Sequence, residues 1–277
     1  MHLVNSTDAL AAAAPLFADA ACGLQVPSIL EGTSRGTLLV DHVARPSAGL
    51  IWDGLASLYL AGAPDIAAFN LDWSTWVKGT VVPMARELGI PALDVHANPE
   101  AWYHRLPDLL APLPVELLRR MTFTFQRPRI WKPTVPQGYH LEAITPSLLA
   151  QDDLAGLSWL QGWILSFWHT LDAFADRGIG FCIIHEKSAI VSLCISVFVY
   201  GRAVELGTGT WEAHQRRGLS TASVAACVHA CEDRALTPVW QCDAANLSSL
   251  TVARKVGFEP AEEIVIRRIP LQEKGLP

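Results

Sequence analysis

The stretch His214-Gln215-Arg216-Arg217-Gly218-Leu219-Ser220 decides how this chain is read. Residues 203–210 before it read as an extended run. The small residues after it read as a helix to about Arg234. A strand, a tight turn containing glycine and a helix N-terminus, in that order, form an anion cradle. The first-turn N–H groups have no intrahelical partner, and the helix dipole favours negative charge there. Gly218 lets backbone approach a ligand with no Cβ in the way. Arg216 and Arg217 add permanent charges whose forked donors suit phosphate oxygens.

Working outward, the second half of the chain is regular. Tyr139-His140-Leu141-Glu142-Ala143 reads as a strand, and Thr145-Pro146 as the N-cap and first residue of a helix. A helical region follows over about 157–176, ended by Gly178 and Gly180. Residues 180–185, 190–199 and 203–210 then make an antiparallel meander, turning at Glu186-Lys187 and Gly201-Arg202. On the cradle helix Ala222, Ala226 and Ala230 form one stripe beside Cys227 and Cys231, small enough to press against a sheet. Residues 239–242 read as a strand, 246–256 as a helix ended by Gly257, and 264–269 as a last strand.

This order, with two motifs, resembles the GNAT superfamily of N-acetyltransferases. Gln215-Arg216-Arg217-Gly218-Leu219-Ser220 is similar to the family's Gln/Arg-x-x-Gly-x-Gly/Ala segment, with Ser in the last place. The run from Asn246-Leu247-Ser248-Ser249 to Lys255-Val256-Gly257-Phe258 is similar to its Asn-x-x-Ala/Ser segment ending in Lys-x-Gly-Phe. The resemblance covers roughly residues 137–270. A narrower likeness, carried by Trp240-Gln241-Cys242 and by an N-terminal α/β extension, points to a two-domain subgroup that includes an acetyltransferase conferring resistance to the antibiotic zwittermicin.

The resemblance implies acetyl-CoA as the acetyl donor and a primary amine of a small molecule as acceptor, joined by direct transfer. Its pyrophosphate would sit on Gln215, Arg216, Arg217, Gly218, Leu219 and Ser220, and its arm along the strand ending at Gly209-Thr210-Trp211. A backbone N–H near Gly209 or Thr210 would stabilise the oxyanion. Asn246 and Ser249 would border the cofactor's far side. An alkyl ammonium, with a pKa near 10.4, must lose a proton before it attacks. Glu205 is the candidate base, with His214 and Asp243 as further candidates. Each has a plainer reading: an outward strand carboxylate, a surface-loop histidine, and a turn or cap. Where the family often has a tyrosine to protonate the leaving thiolate, Ala253 stands. That leaves the general acid unassigned and keeps open a non-catalytic acyl-CoA-binding module as the alternative.

Trp159, Trp163 and Trp168 are spaced by four and five along one helical region. Such spacing reads as core; an aromatic cage for a cationic amine is the alternative.

The first half reads as a smaller α/β domain, expected to help form the acceptor site or to regulate it. We expect a helix over 7–22, strands over 38–40, 50–52 and 67–71, and a helix over 73–88 disturbed by Pro83. A strand over 93–95, a helix over 99–111 and a short helix over 116–120 follow. Asp41-His42 and Asp53 read as structural polar groups. Residues 126–136, with Pro128, Pro133 and Pro136, read as an extended linker, so the expected domains are 1–130 and 131–277. No sequence repeat is visible.

Composition bounds the rest. Of 277 residues, 51% are hydrophobic and 17% charged, which suits a buried globular chain. The net charge of −6 and the lack of a basic run argue against nucleic acid. No segment reaches the ~18 apolar residues of a membrane span. The N-terminus lacks the basic start of a signal peptide, so a cytoplasmic protein is expected. The six cysteines (Cys22, Cys182, Cys194, Cys227, Cys231, Cys242) form no CxxC and read as buried free thiols, with no metal expected. The expected partners are the amine and, at most, a second copy of the chain.

Overall fold

The structure is a computed structural model that describes residues 1–272 apart from 5, 19–22, 131 and 152. It divides into two compact units, Met1–Arg119 with Val265–Pro277, and Arg120–Ile264. The division differs from the expected one near residue 130. Residues 120–123 already pair with a strand of the second unit, and the Arg129 guanidinium is tied to Glu259 at 2.6 Å.

The first unit runs β1 (His2–Val4), α1 (Thr7–Ala13), α2 (Gln25–Leu30), β2 (Thr37–Val40), β3 (Ala48–Trp52) and β4 (Ser57–Gly62). Then come α3 (Ala67–Trp76), α4 (Val82–Glu87), β5 (Ala92–Asn98) and α5 (Ala101–Leu110). β1 to β4 pair antiparallel in sequence order, and β5 joins β4 in parallel. Trp73, Trp102, Phe69, Leu50, Leu60 and Leu93 are at the centre of one of its cores. Strand β6 (Glu116–Phe125) leads out of this unit.

Several expectations for this half are corrected. Residues 67–71 are helical, because Phe69, Trp73 and Val77 recur at i, i+4, i+8 and are buried on one face. The missed strand is β4, whose residues 58–61 are buried on both faces and carry no alternation. Residues 116–120 are extended in β6, not helical. The first helix ends at Ala13 and a 3₁₀ turn follows at Pro15; of the expected stretch, 19–22, including Cys22, lies outside the described residues. Pro83 sits in the first turn of α4 after a π-helical turn, Val77–Val81, which absorbs its missing N–H.

The second unit runs β7 (Tyr139–Ala143), α6 (Pro146–Leu149), α7 (Leu157–Phe167) and α8 (Leu171–Arg177). The meander β8 (Gly180–His185), β9 (Ala189–Tyr200) and β10 (Ala203–Thr210) follows. Then come α9 (Leu219–Asp233), β11 (Thr237–Asp243), α10 (Leu247–Val256) and β12 (Phe258–Pro270). The single expected helix over 157–176 is two helices, because Thr170 caps a new one by accepting from the Ala173 N–H. The small stripe of α9 does press on the sheet: the Cys227 thiol donates to Cys194 O at 3.3 Å. Burial pushes the Cys182 and Cys231 thiols up to about 12.

Both units are mixed, mostly antiparallel sheets flanked by helices, and both follow one order. Each has a strand, helices, a three-strand antiparallel meander, helix, parallel strand and helix in that order, and is closed by an antiparallel strand drawn from the other half of the chain. Residues 267–270 close the first unit on β5, and residues 120–123 close the second on β11. The architecture therefore repeats although the sequence shows no repeat, since a fold constrains burial pattern more than residue identity. Among the described residues no helix is long and apolar enough to cross a membrane.

Candidate active site

The site begins where a parallel pair stops. β10 pairs β11 only through Ala203, Val204 and Glu205. Beyond them the two strands part, while β11 pairs on its other edge with β6 from Trp240 onward. The cause lies on the other side of β10: the β9–β10 register shifts between Glu205 and Leu206, leaving Val197 as an extra residue on β9. A bulge bends the pair and increases its twist. Residues 206–210 thus keep β9 on one side and face a cleft on the other. An extended amide chain can add itself to such an edge.

The strand then runs into the cradle. The Trp211 N–H donates to Val191 O at 2.9 Å, which sets the direction of the exit. Arg216 (φ 61°) and Gly218 (φ 79°) are both left-handed. No side chain caps α9 at Gly218, so the N–H groups of Leu219, Ser220 and Thr221 open outward. A Cβ added at Gly218 would meet nothing within 4 Å, so the glycine serves the backbone angle rather than a tight contact. The hydroxyls of Ser192, Thr210 and Ser220 form a chain of two 2.7 Å contacts, tying β9, β10 and the start of α9 together. The Gln215 amide donates to Thr210 O at 3.2 Å.

Strand edge and cradle line one cleft of about 570 Å³. It gathers Gly209, Thr210, His214, Gln215, Arg216, Gly218, Leu219 and Ser220 with Asn246 and Ser249, all named from sequence. Asn246 caps α10 by accepting from the Ser249 N–H at 3.0 Å, and the Ser249 hydroxyl accepts from the Trp240 indole at 3.1 Å. Thr208, Thr221, Ser248, Val252 and Lys255 also line the cleft and were not singled out. The signal was present: Ser248, Val252 and Lys255 recur at i, i+4, i+7 along α10. Trp211 and Arg217 stand apart from the lining. The Arg217 guanidinium reaches back to Ala213 O at 3.4 Å, and the Trp211 ring lies 5.9 Å from that of Trp159.

The catalytic candidates separate. Glu205 is buried at the last paired position, where its carboxylate accepts from the Gln241 amide at 2.9 Å. Asp243 is ion-paired to Arg120 at 3.1 Å, and its carbonyl accepts from the Asn246 N–H, a turn role. His214 faces the cleft, with Nδ1 2.9 Å from the Tyr139 hydroxyl. Burial lowers its pKa, with the charges of His185 and Arg217 adding, so a neutral imidazole is favoured. Ala253 is fully buried and offers no acid. Trp168 is core, its indole donating to Ser196 O at 2.8 Å, whereas Trp159 and Trp163 are half-buried. Among the described residues no group of His, Cys, Asp and Glu gathers as metal ligands.

A meander strand unzipped from its parallel neighbour and feeding an uncapped helix N-terminus makes an open cleft that can accept an anion. The family profile "GNAT acetyltransferase" matches residues 14–266, and the chain belongs to that family. It is 24% identical over 253 residues to the "Uncharacterized N-acetyltransferase YdfB" of Bacillus subtilis strain 168, covering 91% of this chain and 92% of that one. Among solved structures it resembles a GCN5-related N-acetyltransferase-like protein from Streptococcus suis, with TM-score 0.65 and 23% identity, over 96% of this chain and 100% of that one. It also resembles a tandem GNAT protein from the clavulanic acid biosynthesis pathway, with TM-score 0.54 and 14% identity, over 97% and 94%. At these identities the structures attest the fold.

Proposed function

We propose that the chain transfers an acetyl group from acetyl-CoA to a primary amine of a small molecule, and that residues 120–264 carry the reaction. The unzipped edge of β10 running into the uncapped N-terminus of α9 is the observation that carries this reading. The residues fit the donor. Leu219, Ser220 and Thr221 N–H groups with Arg216 suit a pyrophosphate, and the bonding groups of residues 206–210 suit an amide-bearing arm. Lys255 adds a second cation on the opposite wall.

Transfer needs the amine neutral, a donor at the carbonyl oxygen and a path for the proton. A backbone N–H near Gly209 is the oxyanion donor. The amine nitrogen forms the new C–N bond, the C–S bond breaks, and coenzyme A leaves as the thiolate. Glu205 accepts the amine's proton, directly or through water. With Ala253 in place of a hydroxyl, the thiolate leaves without a protein acid. Within the family, the reading places the chain with two-domain members such as the zwittermicin-resistance acetyltransferase. The first unit then contributes a regulatory part.

A thiol-release assay with acetyl-CoA and a panel of primary amines tests the reading. Release of coenzyme A that depends on an amine supports it. Tight acetyl-CoA binding with no turnover by any amine supports the alternative, an acyl-CoA-binding regulatory module.

A further inference from the structure

Ten tryptophans is a large number for this chain, and those placed in the structure divide into two kinds. Trp52, Trp73, Trp102, Trp168 and Trp240 are buried, and each indole N–H donates to an oxygen of the protein. Of the half-buried ones, Trp76 packs on the first unit's core, 5.9 Å from Trp52, whereas Trp159, Trp163 and Trp211 of the second unit have no acceptor for their indole N–H groups among the described residues. The first kind is core. These last three form one wall.

That wall stands on β10. Alternation puts Glu205, Gly207 and Gly209 on one face of the strand and Thr208 and Thr210 on the other. Thr210 meets Ser220, so the second face is the one under α9 and the cradle. On the first face, a methyl added at Gly209 would lie 3.0 Å from Trp163 Cζ2 and 3.3 Å from Trp159 Cζ2. At Gly207 it would lie 3.5 Å from Trp163 Cζ3. The two glycines thus form a floor on which the indoles of α7 rest. The rings continue without a break: Trp211 to Trp159 5.9 Å, Trp159 to Trp163 6.3 Å, Trp163 to Phe167 6.4 Å and Phe167 to Phe198 5.4 Å.

The wall is also free of charge. Helix α7 has no ionisable residue from Leu157 to Phe167. Its Gln161 amide is spent on Leu149 O and its Ser166 hydroxyl on Gly162 O. The polar end of this face is Glu205 with Gln241, at the point where β10 and β11 part. A polyamine or aminosugar needs several carboxylates or amides around it, and this face offers one of each, bonded to one another at its end. A flat apolar body finds ring faces and edges to stack against.

We propose that this face is the acceptor site and that it selects a primary amine carried on an aromatic body, an arylalkylamine. The proposal rests on the acetyltransferase reading above. With the donor's phosphates held on the α9 face, the thioester meets its nucleophile from the α7 face. Trp159 and Trp163, seated on Gly207 and Gly209, stack their exposed faces on the arene, which brings the amine nitrogen to the edge of β10.

The test compares 2-phenylethylamine and tryptamine with putrescine and glucosamine, using acetyl-CoA and the full chain. Arylalkylamines are expected to show kcat/KM at least tenfold higher. Trp163→Leu and Trp159→Leu should each raise the KM for 2-phenylethylamine at least fivefold. The KM for acetyl-CoA, which also reports folding, should stay within twofold, and Trp163→Phe should restore most of the lost affinity. Turnover that favours putrescine or glucosamine, or leucine variants that weaken acetyl-CoA and amine alike, overturns the proposal while leaving acetyl transfer standing. Acetyl-CoA binding without turnover of any amine overturns both.

Discussion

The two units share one order of elements and differ at one junction. In the first, β4 and β5 stay paired over five residues, from Ser57↔Asp94 to Ala61↔Asn98. In the second, β10 and β11 separate after three. After β4 the chain passes through Gly62-Ala63-Pro64-Asp65-Ile66 straight into α3, with no basic residue on the way. The buried Trp102 indole donates to Gly62 O at 3.0 Å, and the Asn70 amide to Pro64 O at 2.8 Å, so this turn is satisfied from within. After β10 the loop is longer, twice left-handed and uncapped, and it presents its donors outward. The same fold ends in a turn bonded from within in one unit and in a loop that lines a cleft in the other. What decides is how far a parallel pair stays zipped and which groups follow the strand.

The strongest way to break this contrast is at Gly218. Its φ of 79° suits glycine, so Gly218→Val should distort the cradle and weaken acetyl-CoA binding at least a hundredfold, about 2.7 kcal/mol. Calorimetric titration reads this directly. Unchanged affinity would mean that the donor binds elsewhere.

The next effect belongs to the first unit. Asp53 is buried and accepts N–H bonds from Leu55 and Ser57 at 2.8 and 3.0 Å. Burial, opposed by these bonds, raises its pKa from 3.8 to about 6. The folded state therefore holds a proton that the unfolded chain has already lost. Its contribution is fully present below about pH 4, is lost as pH rises through about 6, and amounts to roughly 3 kcal/mol. Asp53→Asn keeps an acceptor and removes the charge. It should stabilise the chain by about 2 kcal/mol at pH 8 and change little at pH 4, with acetyl-CoA affinity unchanged. Urea unfolding at both pH values checks it; equal effects at the two would contradict the account.

Smaller effects separate the two arginines. Arg216 lines the cleft and Arg217 turns back to Ala213 O. Arg216→Ala should weaken acetyl-CoA about tenfold, roughly 1.4 kcal/mol, and flatten the salt dependence of binding. Arg217→Ala should cost about twofold or less. The reverse order would mean that the guanidinium positions change when the donor binds.

The contrast between units also explains what could be read from sequence. The second unit carries residues whose backbone chemistry leaves few choices. Gly218 and Gly257 sit at left-handed positions, Asn246 and Thr145 act as N-caps, and Pro146 opens a helix. Each marks a boundary that sequence alone reveals. The first unit carries some of these signals too, with Ser6 as an N-cap and Gly62 left-handed, but its strands and longest helix hide theirs. Its β3 and β4 are buried on both faces, so alternation vanishes, and the helix at 67–76 hides its period behind the exposed Leu71. In the site, the cleft beside α9 was legible because one short motif and its loop line most of it. The tryptophans read as core or cage from sequence, and what it did not show is that Trp163 meets Gly209, across a gap that no local pattern spans. The role of Glu205 was open for a related reason, since its register depends on a bulge in the neighbouring strand.

The central claim is that a single cleft, in residues 120–264, serves a chain with two copies of the fold. Titrating the full chain with acetyl-CoA in a calorimeter counts the sites directly. The account predicts one site per chain, lost in Gly218→Val. Two sites per chain, or one site that survives Gly218→Val, would contradict it.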